Sequence, residues 1–168
     1  MTGYTDTGLL WRGEVDNERD FSWHIDLPAA STAAAKFTIN KDGKDSIFSP
    51  LQFHFHSPSE HAIEGQLKDA EVHIVHSNAD GTLAVLGVLF EVSGTVENEF
   101  MQTVIDSYSS SSLNGDQIDL KDFIEGRAAS AGDTAVTALD LTKFWSYDGS
   151  LTTPPCSEGV VWTVLQTV

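Results

Sequence analysis

The chain has 168 residues, 40% of them apolar, and carries 25 Asp+Glu against 9 Lys+Arg for a formal net charge of −16, a composition that suits one packed domain and excludes wholesale disorder. So acidic a surface repels phosphate backbones and anionic lipid, which excludes non-specific nucleic-acid and membrane-surface binding in favour of neutral, cationic or metallic partners. Met1 to Asp6 show neither the basic nor the apolar part of a leader, no apolar run is long enough to span a bilayer, and the single cysteine, Cys156, has no internal disulfide partner, which leaves the redox compartment open.

Residues 1–47 mix aromatic and charged residues around a small-residue patch, Pro28 to Ala35. Beyond it the alternation of Lys36-Phe37-Thr38-Ile39-Asn40 predicts a strand closed by the turn Lys41-Asp42-Gly43-Lys44. Phe48 to His56 is aromatic-rich with period 2, Asp69 to Ser77 alternates again, and Leu83 to Val92 is almost continuously apolar, which predicts three strands, the last fully buried. From Glu97 the positions Phe100, Met101, Val104, Ile105 and Tyr108 follow helical spacing, and Ser109 to Ser112 ends that helix. Residues 109–137 are weakly periodic and predict a loop, with Leu120 to Ile124 a candidate short helix.

The last part carries Phe144-Trp145-Ser146-Tyr147, a turn at Gly149, the segment Thr152-Thr153-Pro154-Pro155 and a strand over Val160 to Leu165. No internal repeat is visible. The fold class expected is mainly β: one domain over residues 1–168 with a central twisted, mostly antiparallel sheet and a few short peripheral helices. Because a buried strand needs neighbours on both edges, a last strand without a closing turn predicts a domain incomplete at that end.

Five of the six histidines (His54, His56, His61, His73, His76) fall in one short window. Side chains at i and i+2 of a strand share a face, so Gln52, His54 and His56 line up on one strand, and Glu71 with His73 on the next. Antiparallel neighbours lie about 4.8 Å apart, which lets three imidazole nitrogens reach one ion at roughly 2.0 to 2.1 Å. Three neutral imidazoles without a thiolate fit zinc and leave its fourth position to water, the mark of a catalytic site. Gln52 and Glu71 can each accept a ligand's second N–H and fix its tautomer.

The plain alternative is a core face with satisfied imidazoles, the better reading for a lone histidine. Three together, each buried without a metal, would strand polar groups at about 1 to 3 kcal/mol apiece. By the same parity His76 points to the opposite face and His61 lies in the connecting loop, so both read as structural. A cupin also places His-x-His-x-x-x-Glu as His54, His56 and Glu60 do, but it needs Pro-x-Gly before a later ligand, and Gly65 to His73 lacks it.

The blocks Gln52-Phe53-His54-Phe55-His56-Ser57-Pro58-Ser59-Glu60-His61, Glu71-Val72-His73-Ile74-Val75-His76 and Tyr147-Asp148-Gly149-Ser150-Leu151-Thr152-Thr153-Pro154-Pro155 resemble the α-carbonic anhydrase family, over residues 48–92 and 139–165 and not before Phe48. The resemblance implies a zinc lyase that hydrates carbon dioxide to bicarbonate and a proton. It implies His54, His56 and His73 as ligands, with Gln52 and Glu71 behind them, and His61 and Tyr147 as buttresses. Thr152 would accept the hydrogen bond of zinc-bound hydroxide and donate its own to Glu60. Val75, Val85, Leu151, Val160 and Trp162 would form the apolar wall beside the metal, and Thr153 would lie nearest bicarbonate.

His24, the remaining histidine, is the candidate proton shuttle. It follows Phe21-Ser22-Trp23 where the family has Asn-Gly before its shuttle histidine, so an ordinary surface histidine is the competing reading. The family's opening Gln-Ser-Pro motif and Asn-Phe-Arg ending are not found, so a domain shortened at both ends is expected. In secreted relatives the cysteine matching Cys156 pairs with one in the N-terminal segment, and the resemblance favours an extracellular or periplasmic-type compartment. The rival of another class is a carbonic-anhydrase-like binding domain without catalysis, usually marked by a lost ligand histidine.

Overall fold

The structure, a computed structural model, describes residues 10–12, 24–26, 36–92, 98, 101–102, 105, 117–119 and 139–166. Eleven strands occur among them: β1 (Leu10–Arg12), β2 (His24–Asp26), β3 (Phe37–Lys41), β4 (Lys44–His56), β5 (Ala62–Ile63), β6 (Gln66–Leu67), β7 (Ala70–Ser77), β8 (Leu83–Phe90), β9 (Gln117–Asp119), β10 (Phe144–Ser150) and β11 (Glu158–Leu165). The main sheet runs β10-β11-β8-β7-β4-β2, with β3 also paired to β4. All its pairs are antiparallel except β11 with β8.

Short-range chemistry sets the hairpins. Asp42 and Gly43 both adopt positive φ (54° and 77°), the twist that a two-residue turn between right-twisted strands requires, and so they close β3 onto β4. Glu64 and Gly65 repeat the device between β5 and β6, within the connection that returns the chain from β4 to β7.

Alternation sorts the sheet into two faces. Phe53, Val72, Ile74, Leu86, Val88 and Leu165 form the largest buried cluster on one face. Their neighbours along each strand, His54, His73, Val75, Val85 and Gly87, fall on the other. Toward the far end of the first face, Phe37 and Phe48 pack with Ala84, so the β3–β4 hairpin covers that end of the sheet. With both faces covered, β7 is as continuously buried as β8, six residues in a row each, although its sequence alternates.

β4 does not keep one parity throughout. Its pairing with β7 slips between Pro50 and Gln52: Pro50 faces His76 whereas Gln52 faces Val75, and Leu51 is the extra residue. Phe48 and Pro50 are therefore buried on the first face while Gln52, His54 and His56 emerge on the second. An unbroken period-2 strand from Phe48 to His56 would have put all five on one face.

Several expectations are corrected here. Gly149 lies inside β10 at an irregularity of the β10–β11 pairing, not in a turn. A methyl group there would meet the Tyr147 ring at 2.7 Å and Trp162 Cδ1 at 3.0 Å, so the glycine makes room for packing. The segment 109–137 is not all loop, because Gln117–Asp119 pairs with Leu10–Arg12. The few short helices reduce, among the described residues, to helical positions at Met101, Gln102 and Ile105. The Asn98 side chain accepts from Met101 N–H (3.1 Å) and so caps them. The candidate helix at Leu120 to Ile124 lies outside the described residues.

Candidate metal centre

Gln52, His54 and His56 on β4 stand beside Glu71 and His73 on β7, and His54 is the direct cross-strand partner of His73. Ring centroids of His54, His56 and His73 lie 4.5–5.2 Å apart, and one ligand atom from each falls within 4.8 Å of the others. The site is therefore two adjacent strands read in register.

The remaining ring nitrogens show which atoms face the common centre. His54 Nδ1 lies 2.8 Å from Gln52 Oε1, which leaves Nε2 for an ion. His73 Nε2 lies 3.0 Å from Glu71 Oε1, an ion-pair distance too far off the N–H direction to count as a hydrogen bond, which turns Nδ1 toward the centre. His56 Nε2 is buried with no hydrogen-bond partner. Burial foremost, and then the neighbouring His73, pushes the His56 ring below its ordinary pKa, so it is neutral and able to donate a lone pair. A buried, neutral, partnerless imidazole nitrogen among two others, with no thiolate, fits a borderline cation such as zinc.

Glu71 is the hub behind the ligands. Fully buried, its carboxylate takes His61 Nδ1 (2.5 Å) on Oε1 and the backbone N–H groups of Glu60 and His61 (2.9 Å each) on Oε2. Burial alone would push the carboxyl up. The hydrogen bonds from His61 and the contact with His73 outweigh it and hold Glu71 well below the usual carboxylate range. Because Nδ1 of His61 donates to Glu71, its Nε2 accepts, and it receives the Tyr147 hydroxyl at 2.7 Å. Burial, with Glu71 and Glu60 nearby, pushes the Tyr147 phenol up, so it stays protonated as donor.

Trp162 lies against both histidine rings, 4.8 Å from His73 and 5.0 Å from His61, and stacks on Tyr147 at an interplanar angle of 6°. Its indole N–H donates to Ser150 O at 3.0 Å. Val75, Val85, Val160 and Trp162 form one buried cluster on this face, with Leu151 against it. Glu60 reaches toward the ligands, 3.6 Å from His56 Nδ1 and 3.9 Å from His73 Nδ1. Thr152 and Thr153 are exposed in the loop after β10, and no hydrogen bond joins Thr152 to Glu60. His76, on the opposite face, is fully buried and stacked on Phe37. The backbone of His24 pairs with that of His54 across β2 and β4.

Two contributors were missed in the sequence. Ser59 is buried, its hydroxyl donating to His61 O (2.7 Å) and accepting from Lys68 N–H (2.9 Å), and so it fixes the loop that carries Glu60 and His61. Its signal was a serine in a Ser-Pro-Ser turn. Gly87, opposite His73 in the pairing of β7 with β8, is the other, and its signal was a glycine inside an otherwise bulky central strand.

The sequence profile described as eukaryotic-type carbonic anhydrase matches residues 15–168, so the likeness begins well before Phe48, where the sequence blocks alone had placed its start. The chain is 38% identical over 136 residues to alpha carbonic anhydrase 3 of Arabidopsis thaliana, covering 80% of this chain and 44% of that protein. It is 37% identical over 142 residues to a carbonic anhydrase of Klebsiella pneumoniae, covering 83% and 51%. Among solved structures, the alpha-carbonic anhydrase of Photobacterium profundum gives a TM-score of 0.62 at 30% identity, covering 97% of this chain and 64% of that one. Dioscorin complexed with ascorbate gives 0.66 at 25% identity, covering 99% and 61%. The chain spans about half the length of the curated relatives it matches. These likenesses set the cupin reading aside, and Glu60 is not part of the imidazole group.

Proposed function

The chain belongs to the eukaryotic-type carbonic anhydrase family, and from that membership we propose that it binds zinc through His54, His56 and His73 and interconverts carbon dioxide and bicarbonate. The observation that carries the reading is the convergence of three imidazoles around a buried, partnerless His56 Nε2. When bound, zinc would supply an acidified water, its pKa lowered to about 7 as in carbonic anhydrases generally.

The protein's own residues do the rest. Three neutral ligands leave the metal's charge undiminished, while Gln52 and Glu71 fix which nitrogen of His54 and His73 faces it. His61 and Tyr147 hold Glu71 in register. Val75, Val85, Leu151, Val160 and Trp162 offer an apolar wall for a neutral gas, and Thr153 contacts the anionic product. Thr152 and Glu60, once brought together, orient the attacking water. His24 carries the departing proton, or else is an ordinary surface residue and its loss leaves turnover nearly unchanged. The second reading, a carbonic-anhydrase-like binding domain without catalysis, draws on the exposed Thr152, which makes no hydrogen bond to Glu60.

The deciding experiment measures zinc content and stopped-flow hydration of carbon dioxide on the purified chain, with and without a zinc-binding sulfonamide. Zinc that is lost in His54→Ala, together with sulfonamide-sensitive hydration, supports the enzyme. Zinc without hydration selects the binding domain, and absence of zinc overturns both the cofactor and the reaction.

A further inference from the structure

Gly87 sits in the middle of β8, in a strand where large apolar residues fill almost every other position. Glycine there adds no side chain to the pleat and weakens the strand. Its φ is not in the left-handed region, so backbone geometry does not call for it. Space does. A methyl group on Gly87 would stand 2.8 Å from Glu71 Oε1 and 3.9 Å from Glu71 Cδ, with Val164 Cγ2 at 3.5 Å on its other side.

We propose that Gly87 is a positioning residue of the metal centre: its missing side chain is the space that seats the Glu71 carboxylate against His73 and His61. The inference rests on the reading of His54, His56 and His73 as zinc ligands. Glu71 cannot swing aside without cost, because its two oxygens are held by His61 Nδ1, His61 N–H and Glu60 N–H. Nor can the added methyl retreat far, since Val164 closes the opposite side and neighbouring strands fix the backbone. A side chain at position 87 therefore displaces the carboxylate, and with it the His73 ring that lies 3.0 Å from Oε1.

The test is a double-mutant cycle on Gly87→Ala and Glu71→Asp, read as zinc affinity by competition with a chromophoric chelator and as the visible spectrum of the cobalt-substituted protein. Each single change should weaken zinc by about tenfold or more, the usual cost of disturbing a group that orients a metal ligand. In the double variant the shortened carboxylate leaves room for the methyl, so the second change should cost less than in the wild type, and the cobalt spectrum should move back. Additive losses, or a Gly87→Ala protein with unchanged zinc affinity and spectrum, overturn the proposal. Should Gly87→Ala fail to fold, recovery of folding in the double variant supports it and failure there overturns it. If the wild type takes up no zinc the ligand reading has failed, and coupling between positions 71 and 87 in thermal stability still decides whether the space is shared.

Discussion

His61 Nδ1 lies 2.5 Å from Oε1 of the fully buried Glu71, so a loop histidine supplies the donor that keeps a carboxylate charged inside the sheet. Glu71→Gln leaves the shape and removes the charge, and an amide NH₂ must then face one of the N–H groups that Glu71 now accepts. The expected cost is about 1–3 kcal/mol of stability from mismatched buried groups. Zinc affinity should fall about 10- to 100-fold.

The pH dependence of that loss has a definite sign. The folded-state pKa of Glu71 is below its ordinary value of 4.5, so the carboxylate's stabilisation is complete above about pH 4.5 and fades as pH falls through the folded value. The stability gap between wild type and Glu71→Gln, measured by urea unfolding of metal-free protein, should therefore narrow in acid. A gap that widens below pH 4.5 would contradict the assignment.

Gln52 acts on one ligand only. Its Oε1 lies 2.8 Å from His54 Nδ1, and it stands partly buried near the end of the site strand. Gln52→Leu should lower zinc affinity about tenfold, because the tautomer of His54 is no longer fixed, while the unfolding midpoint moves little. Chelator competition and denaturant titration on the same preparation separate the two effects.

The ligand triad was legible because it depends only on local parity: i, i+2 spacing on β4 and a matching position on β7. What lay upstream on β4 was not, since the slip at Leu51 is a property of pairing. Pro50, which cannot donate to a ladder, was its visible trace. Gly87 and Gly149 were invisible as site residues for a related reason. Each matters through what a neighbouring strand places beside it, Glu71 for one and the Tyr147 and Trp162 rings for the other. The strand pair β1–β9 joins segments more than a hundred residues apart, a distance at which short-range patterning carries no information.

Gly149→Ala tests the second of these glycines. The new methyl would fall 2.7 Å from the Tyr147 ring and 3.0 Å from Trp162, so the stacked pair must part or the strand must shift. Overpacking of this kind costs about 1–3 kcal/mol, and near-ultraviolet circular dichroism should report the disturbed rings. Tyr147→Phe keeps the stack and loses only the hydroxyl bonded to His61 at 2.7 Å, for which about 0.5–1.5 kcal/mol is expected.

His76 sets an acid limit of its own. The ring is fully buried on the face away from the ligands and stacked on Phe37, and burial, opposed by backbone contacts at Ala84 and Ile74, pushes its pKa from 6.5 down to about 4. Between those values the unfolded chain binds the proton and the folded chain does not, so stability falls as pH drops from 6.5 toward 4. Full protonation of the unfolded state over that interval corresponds to about 3 kcal/mol, at roughly 1.4 kcal/mol per pH unit. Replacing the ring by a group that cannot titrate, His76→Gln, should lower stability at pH 8, where the packed imidazole is lost, yet flatten the slope between pH 6.5 and 4. Urea midpoints of the metal-free proteins across that range measure the slope, and parallel curves for the two proteins would mean that His76 is already protonated in the fold.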